Sequence, residues 1–212
     1  MDRDAFIKLA GPVLFHATLT SNLPGIAAAG LMRPAAVARA VGLNPVDLAL
    51  RRDPETIVLG HGPMTLNHQR PLLAGRDKDF LTGGTLQDWA LQLDERIFFW
   101  PRKAPTAFVG SLSQMGDLTL LRIDSGRIFD ACADHLFLAP INTGAARRKP
   151  AARGLWIYSP VTGTVDRFRG NRVRRGLRKS SDSVSEVSLT CDLPRDDLLA
   201  MLVDPDVLSV VG

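Results

Sequence analysis

One carboxylate in a β-prone run is the first candidate for chemistry in this chain. Val184-Ser185-Glu186-Val187-Ser188-Leu189 sets Glu186 among residues that favour a pleated, half-buried strand. Directly upstream, residues 166–179 read DRFRGNRVRRGLRK, among the most basic stretches of the sequence. A carboxylate on a strand beside a flexible cationic loop suits an enzyme that stabilises positive charge while gripping an anion. An isolated strand glutamate is also an ordinary exposed residue, so the weight falls on what accompanies it.

Its companions lie at the opposite end. Phe15-His16-Ala17-Thr18 ends a short apolar run that reads as a first strand, with His16 and Thr18 on one face, two residues apart. By itself, a histidine at a strand end also reads as a satisfied core residue. The other possible reactive groups form no set. His61 and His68 lack a third ligand and match no tight zinc spacing. Cys132 and Cys191 lie far apart and read as two reduced thiols, and Cys132 with His135 does not make a nucleophilic pair. No metal is expected. Trp89, Phe99 and Trp100 read as core.

These residues need elements to hold them. Asn22–Ala29 reads as a helix capped by Thr20 or Ser21 and closed by Gly30. Residues 34–50 read as helix with a break at Asn44-Pro45, and 64–70 as an irregular or helical piece. Thr85 caps a helix over 86–91, and 96–100 is the strongest buried strand. A helix over 106–113, strands over 118–123 and 155–158, the Glu186 strand and two closing apolar segments complete the chain. Short helices mixed with strands predict α+β architecture in a single domain over residues 1–212.

Composition narrows the classes further. A hydrophobic share of 45% supports a packed core and excludes global disorder. There is no run of ~18 apolar residues, so no membrane span and no membrane partner are expected. The acidic start MDRDAFIKLAG does not read as a secretory signal, which makes cytoplasmic the expected location. The net charge of +4 conceals an asymmetry: residues 147–179 carry +10 and the remainder −6. Such a block is either a solvated face or a phosphate-binding surface.

Three blocks read together suggest a family. FHATLTSNLPGIAAAGL (15–31), GGTLQDW (83–89) with IFFWPRKAP (97–105), and SEVSL (185–189) occur in an order that resembles the DarT-like ADP-ribosyltransferases and their bacterial relatives. The resemblance spans roughly 14–200, with its specific motifs in about a quarter of that stretch. It implies a split mixed β-sheet with flanking helices and NAD as co-substrate. It implies Glu186 and Arg70 as catalytic residues, and His16, Thr18, Asn22 and Arg102 as NAD contacts. It further implies a basic acceptor-recognition loop over 165–185, in which Arg167, Arg169, Arg172, Arg174, Arg175, Arg178 and Lys179 meet nucleic acid. A toxin or defence role follows from the same resemblance, with an antitoxin or other protein partner. The chain departs from the pattern at Lys103-Ala104-Pro105-Thr106 after Arg102, and in a longer interval over 90–95. Both lie where an acceptor would sit, so the acceptor stays open among DNA base, RNA, protein and small molecule. Two other functions fit in outline: an NAD-dependent RNA 2′-phosphotransferase, which needs anchors for two phosphates, and a non-catalytic basic nucleic-acid-binding module.

Overall fold

Short elements follow from a sequence punctuated by Gly and Pro. The computed structural model describes residues 1–73, 80–102, 116–146, 152–178 and 182–211. The chain begins with helix α1 (Arg3–Ala10), whose Asp2 cap accepts a hydrogen bond from the Ala5 amide at 2.8 Å. Strand β1 (Val13–Leu19) leads through a 3₁₀ turn into α2 (Leu23–Ala29), α3 (Pro34–Ala40) and α4 (Pro45–Leu48). A hairpin of β2 (Glu55–Leu59) and β3 (Gly62–Leu66) precedes α5 (Arg70–Leu73), α6 (Leu86–Asp94) and β4 (Ile97–Pro101). Then come β5 (Leu118–Asp124), α7 (Ser125–Cys132), β6 (Leu136–Ala139), β7 (Ser159–Pro160), α8 (Val165–Arg174), β8 (Glu186–Leu189) and α9 (Arg195–Met201).

Six strands form one sheet in the order β5-β1-β4-β8-β6-β7, and every neighbouring pair is antiparallel. The expected α+β class is present, but the sheet is antiparallel throughout rather than mixed. Its two faces bury different cores, because side chains alternate along each strand. Ile97, Phe99, Leu136, Leu138, Val187 and Leu189 join the larger core with Phe6, Ile26 and Ile128. Phe98, Phe137 and Ala139 face a second cluster around Trp89, Leu93, Ile157 and Tyr158.

The feature that matters for function is a divergence inside the sheet. Strand β1 pairs with β5 along its full length, from Val13↔Asp124 to Leu19↔Leu118. Against β4 it pairs only at Leu14↔Pro101 and Phe15↔Trp100. The other half of β4 pairs with β8, at Ile97↔Leu189, Phe98↔Ser188 and Phe99↔Val187. From His16 onward β1 and β4 therefore part, and a notch opens between them.

Several local expectations hold. Gly30 closes α2, the helix breaks before Pro45 with Asn44 accepting from the Val46 amide, and Thr85 caps α6 in a capping box with Asp88. Others are corrected. Residues 62–66 are a strand, because Ile57, Leu59, Met64 and Leu66 alternate inward across the hairpin. The run 155–158 is a 3₁₀ turn that drops Ile157 and Tyr158 into the second core. The basic segment expected as a loop is largely helix α8: Thr164 caps it, Asp166 lies in its first turn, and Phe168 anchors it in the core. The helix expected over 106–113 lies outside the described residues.

Candidate active site

The notch between β1 and β4 opens into a cleft of about 770 Å³. That volume falls in the range of small-molecule sites, roughly 300–1,000 Å³. His16, Thr18, Phe98, Trp100, Asn142 and Glu186 are among its lining residues. The structure thus brings His16 and Glu186, from opposite ends of the sequence, to one cavity.

His16 sits where the β1–β4 ladder stops. Its Nδ1 lies 3.0 Å from the carbonyl of Phe98, so the side chain bridges the two strands where their backbones separate. A carbonyl can only accept, so Nδ1 carries the hydrogen. Burial pushes the pKa of His16 down, against the opposing effect of that hydrogen bond. The ring is accordingly neutral at pH 7, and Nε2 keeps a lone pair to offer a donor.

Glu186 begins β8 on the face opposite Val187 and is 6% exposed. One carboxylate oxygen accepts from the Thr143 hydroxyl at 2.6 Å, and the Thr143 amide lies 3.4 Å from the other. Thr143 is itself fixed. Its hydroxyl accepts from Tyr158 Oη at 3.0 Å, which directs the threonine hydrogen toward Glu186. Its carbonyl accepts from Arg153 and from Trp89 Nε1. Burial raises the Glu186 carboxyl to about 7, while the bonds from Thr143 and the charges of Arg96 and Arg153 oppose that rise. A carboxyl that titrates near neutrality can exchange a proton with a substrate and can face a developing cation as an anion.

Three further ionic groups line the cleft, Arg51, Asp94 and Arg96. Arg51 is held by Asp94, which Gln69 also bonds at 3.0 Å. Burial raises the pKa of Asp94, and the bonds from Arg51 lower it. The Arg96 guanidinium lies over the rings of Tyr158 and Phe137, 3.8 and 4.8 Å from their centroids, and donates through Nη1 to Ser188 Oγ at 3.2 Å.

The remaining expected residues divide. Thr18 and Asn22 line the cleft, but Asn22 is committed to structure. Its Oδ1 accepts from the Thr65 amide at 2.8 Å, and its Nδ2 donates to the Thr65 carbonyl at 3.0 Å and to Thr18 Oγ1 at 3.3 Å. It pins the β2–β3 hairpin to the end of β1. Arg70 is not among the lining residues: it donates to the Arg52 carbonyl at 2.7 Å and pairs with Asp53. Arg102 likewise turns away, capping α1 through the carbonyls of Leu9 and Lys8, with its backbone at φ 64°. Of the basic segment over 165–185, Ser185 is the one described residue that lines the cleft, and none of its described arginines does. Arg169 pairs with Asp182 and Asp166, and Arg172 is buried against the carbonyls of Arg178 and Ser183. Arg174 lies over Trp156, 4.1 Å from the ring centroid. Arg167, Arg175 and Arg178 make no ion pair with any described residue, and Lys179 lies outside the described residues.

Arg51, Asp94, Arg96, Thr143, Arg153 and Tyr158 were not legible as site residues. Arg96 alone left a trace, as a cation at the head of a buried aromatic strand. No group of His, Cys, Asp or Glu among the described residues is arranged to hold a metal. No helix among them is long and apolar enough to cross a membrane. Neither curated proteins nor solved structures provide a match to the chain. A family model described as "Family of unknown function (DUF7002)" matches residues 12–199, and the chain belongs to that family.

Proposed function

We propose that the protein is an NAD-dependent mono-ADP-ribosyltransferase whose cleft takes NAD between the diverging strands β1 and β4. The observation that carries this reading is the convergence of His16 and Glu186 on one cleft at the split of the sheet. Departure of nicotinamide leaves an oxocarbenium-like ribosyl cation. The Glu186 carboxylate, desolvated and positioned by Thr143, stabilises that cation. As the acceptor oxygen or nitrogen bonds to the ribosyl carbon, its proton passes to the same carboxylate. Nε2 of His16 accepts a hydrogen bond from a ribose hydroxyl and sets the sugar against Glu186. A nucleic-acid acceptor remains the favoured choice because of the +10 charge of residues 147–179.

The test is labelled NAD incubated separately with single-stranded DNA, RNA and protein. Glu186→Gln retains shape and the bond from Thr143 while removing the charge. Transfer in this variant should fall about a hundredfold or more, with melting temperature at pH 5 and NAD affinity close to those of the unaltered protein. NAD at 100 times its dissociation constant should stabilise the fold by about 2.7 kcal/mol. Unchanged turnover in the Gln variant, or no thermal shift with NAD, overturns the proposal.

A further inference from the structure

The cleft holds a buried cation that its own protein surroundings leave incomplete. Arg96 is 7% exposed and lines the cleft, and among the described residues it forms no ion pair. Among the described residues its side chain makes a single hydrogen bond, Nη1 to Ser188 Oγ, and its buried Nε meets no partner there. Buried guanidinium groups are ordinarily matched by a carboxylate or by several carbonyls. The other arginine lining the cleft shows the contrast: Arg51 is matched by Asp94 and donates to the carbonyls of Asn67 and Leu48 as well. Arg153, also buried, donates to the carbonyls of Asn142, Thr143 and Ala145.

Arg96 instead lies over two aromatic rings, those of Tyr158 and Phe137, which attract a cation weakly. Contact with two rings restrains the guanidinium without supplying it with hydrogen-bond acceptors in the plane of the group. Glu186 is near enough to influence it, but that carboxyl titrates near neutrality and is engaged with Thr143. A planar, oriented, desolvated guanidinium with unused donors matches the paired oxygens of a phosphate group.

We infer that Arg96 is the phosphate anchor of the cleft, and that the ligand there is a nucleotide whose pyrophosphate supplies the missing oxygens. This deepens the proposed NAD site and rests on it for the identity of the nucleotide. It also moves the arginine contact to NAD from Arg102, whose donors are engaged with the carbonyls of Leu9 and Lys8, to a residue no motif marks.

Calorimetry on the full chain with ADP and with adenosine isolates the phosphates, and a parallel assay follows NAD consumption. The unaltered protein should bind ADP at least about tenfold more tightly than adenosine, the scale of a charge-assisted hydrogen bond. Arg96→Gln should bring ADP to the affinity of adenosine while leaving adenosine itself unchanged. Arg96→Lys, which keeps a cation over the rings, should give an intermediate ratio and serves if the Gln variant does not fold. Equal binding of ADP and adenosine by the unaltered protein, or failure to bind either, overturns the inference. So does an undiminished ratio in the folded variants. If NAD is consumed while the ratio ignores Arg96, the anchor falls and the transferase reading survives. If the ratio depends on Arg96 while NAD is neither bound nor consumed, the anchor stands and the transferase reading falls.

Discussion

At the scale of single residues, two titrating groups line the cleft, His16 and Glu186. The Glu186 carboxyl is raised from 4.5 to about 7. Between those values the native state keeps a proton that the unfolded chain has released, so stability is greatest below 4.5 and falls as pH rises toward 7. The full swing is on the order of 3 kcal/mol. His16 is lowered from 6.5, so the unfolded chain gains a proton first and stability is lost as pH falls below 6.5. Urea unfolding at pH 5 and pH 8 separates the two. Glu186→Gln should abolish the loss toward pH 8 and leave the acid-side loss due to His16. If Glu186 acts as the carboxylate, transfer should also rise with pH through about 7, whereas a rate flat across that range would remove it from the chemistry. His16→Ala should weaken NAD binding by about 1–3 kcal/mol, measured by calorimetry. An unchanged affinity with a collapsed melting temperature would make His16 a strand-bridging core residue only. His16 and Glu186 were legible because a polar residue inside an apolar strand stands out. Thr143 and Tyr158 were not, because their meaning arises from contact with a residue distant in sequence.

The elements show why local signals succeed where backbone geometry dominates. Gly30 was readable as a helix-closing glycine, and the structure adds a second constraint. Its φ is +91°, and an added Cβ would lie 2.0 Å from the carbonyl of Leu193, within the bridge Leu31↔Leu193 that ties α2 to the stretch after β8. Gly30→Ala should therefore destabilise by about 2–3 kcal/mol, seen as a lower urea midpoint. A midpoint within error of the parent would refute this close approach. The basic helix misled because Gly170 lowers intrinsic helix propensity and the clustered arginines repel one another. Tertiary burial of Phe168 and Arg172 overrides that preference. The 155–158 run misled because four apolar residues carry no period, and strand and turn compete equally for so short a stretch.

At the scale of the whole molecule, the basic helix and the cleft occupy different places. The basic helix α8 packs beside β7, at the opposite end of the strand order from β5 and three strands beyond β4. No residue of it lines the cleft. The charge asymmetry was plain from the sequence, but its division into bound and available cations was not. Arg169 is neutralised by Asp182 and Asp166, and Arg172 holds the chain leading into β8. Arg167, Arg174 and Arg178 are exposed, and Arg174 lies over the ring of Trp156. If single-stranded nucleic acid is the acceptor, each phosphate contact adds about −0.7 to the log–log salt slope of binding. Replacing Arg167, Arg174 and Arg178 together by Gln should flatten that slope by about 2 and reduce transfer to the polymer. Slow hydrolysis of NAD to free ADP-ribose should be untouched, because that reaction draws on the cleft alone. Arg172→Gln should instead lower the melting temperature and both activities together, since its donors serve backbone carbonyls. A triple variant that keeps the parental salt slope and polymer modification would make α8 an ordinary solvated face. The acceptor would then be sought among proteins and small molecules that approach the cleft directly.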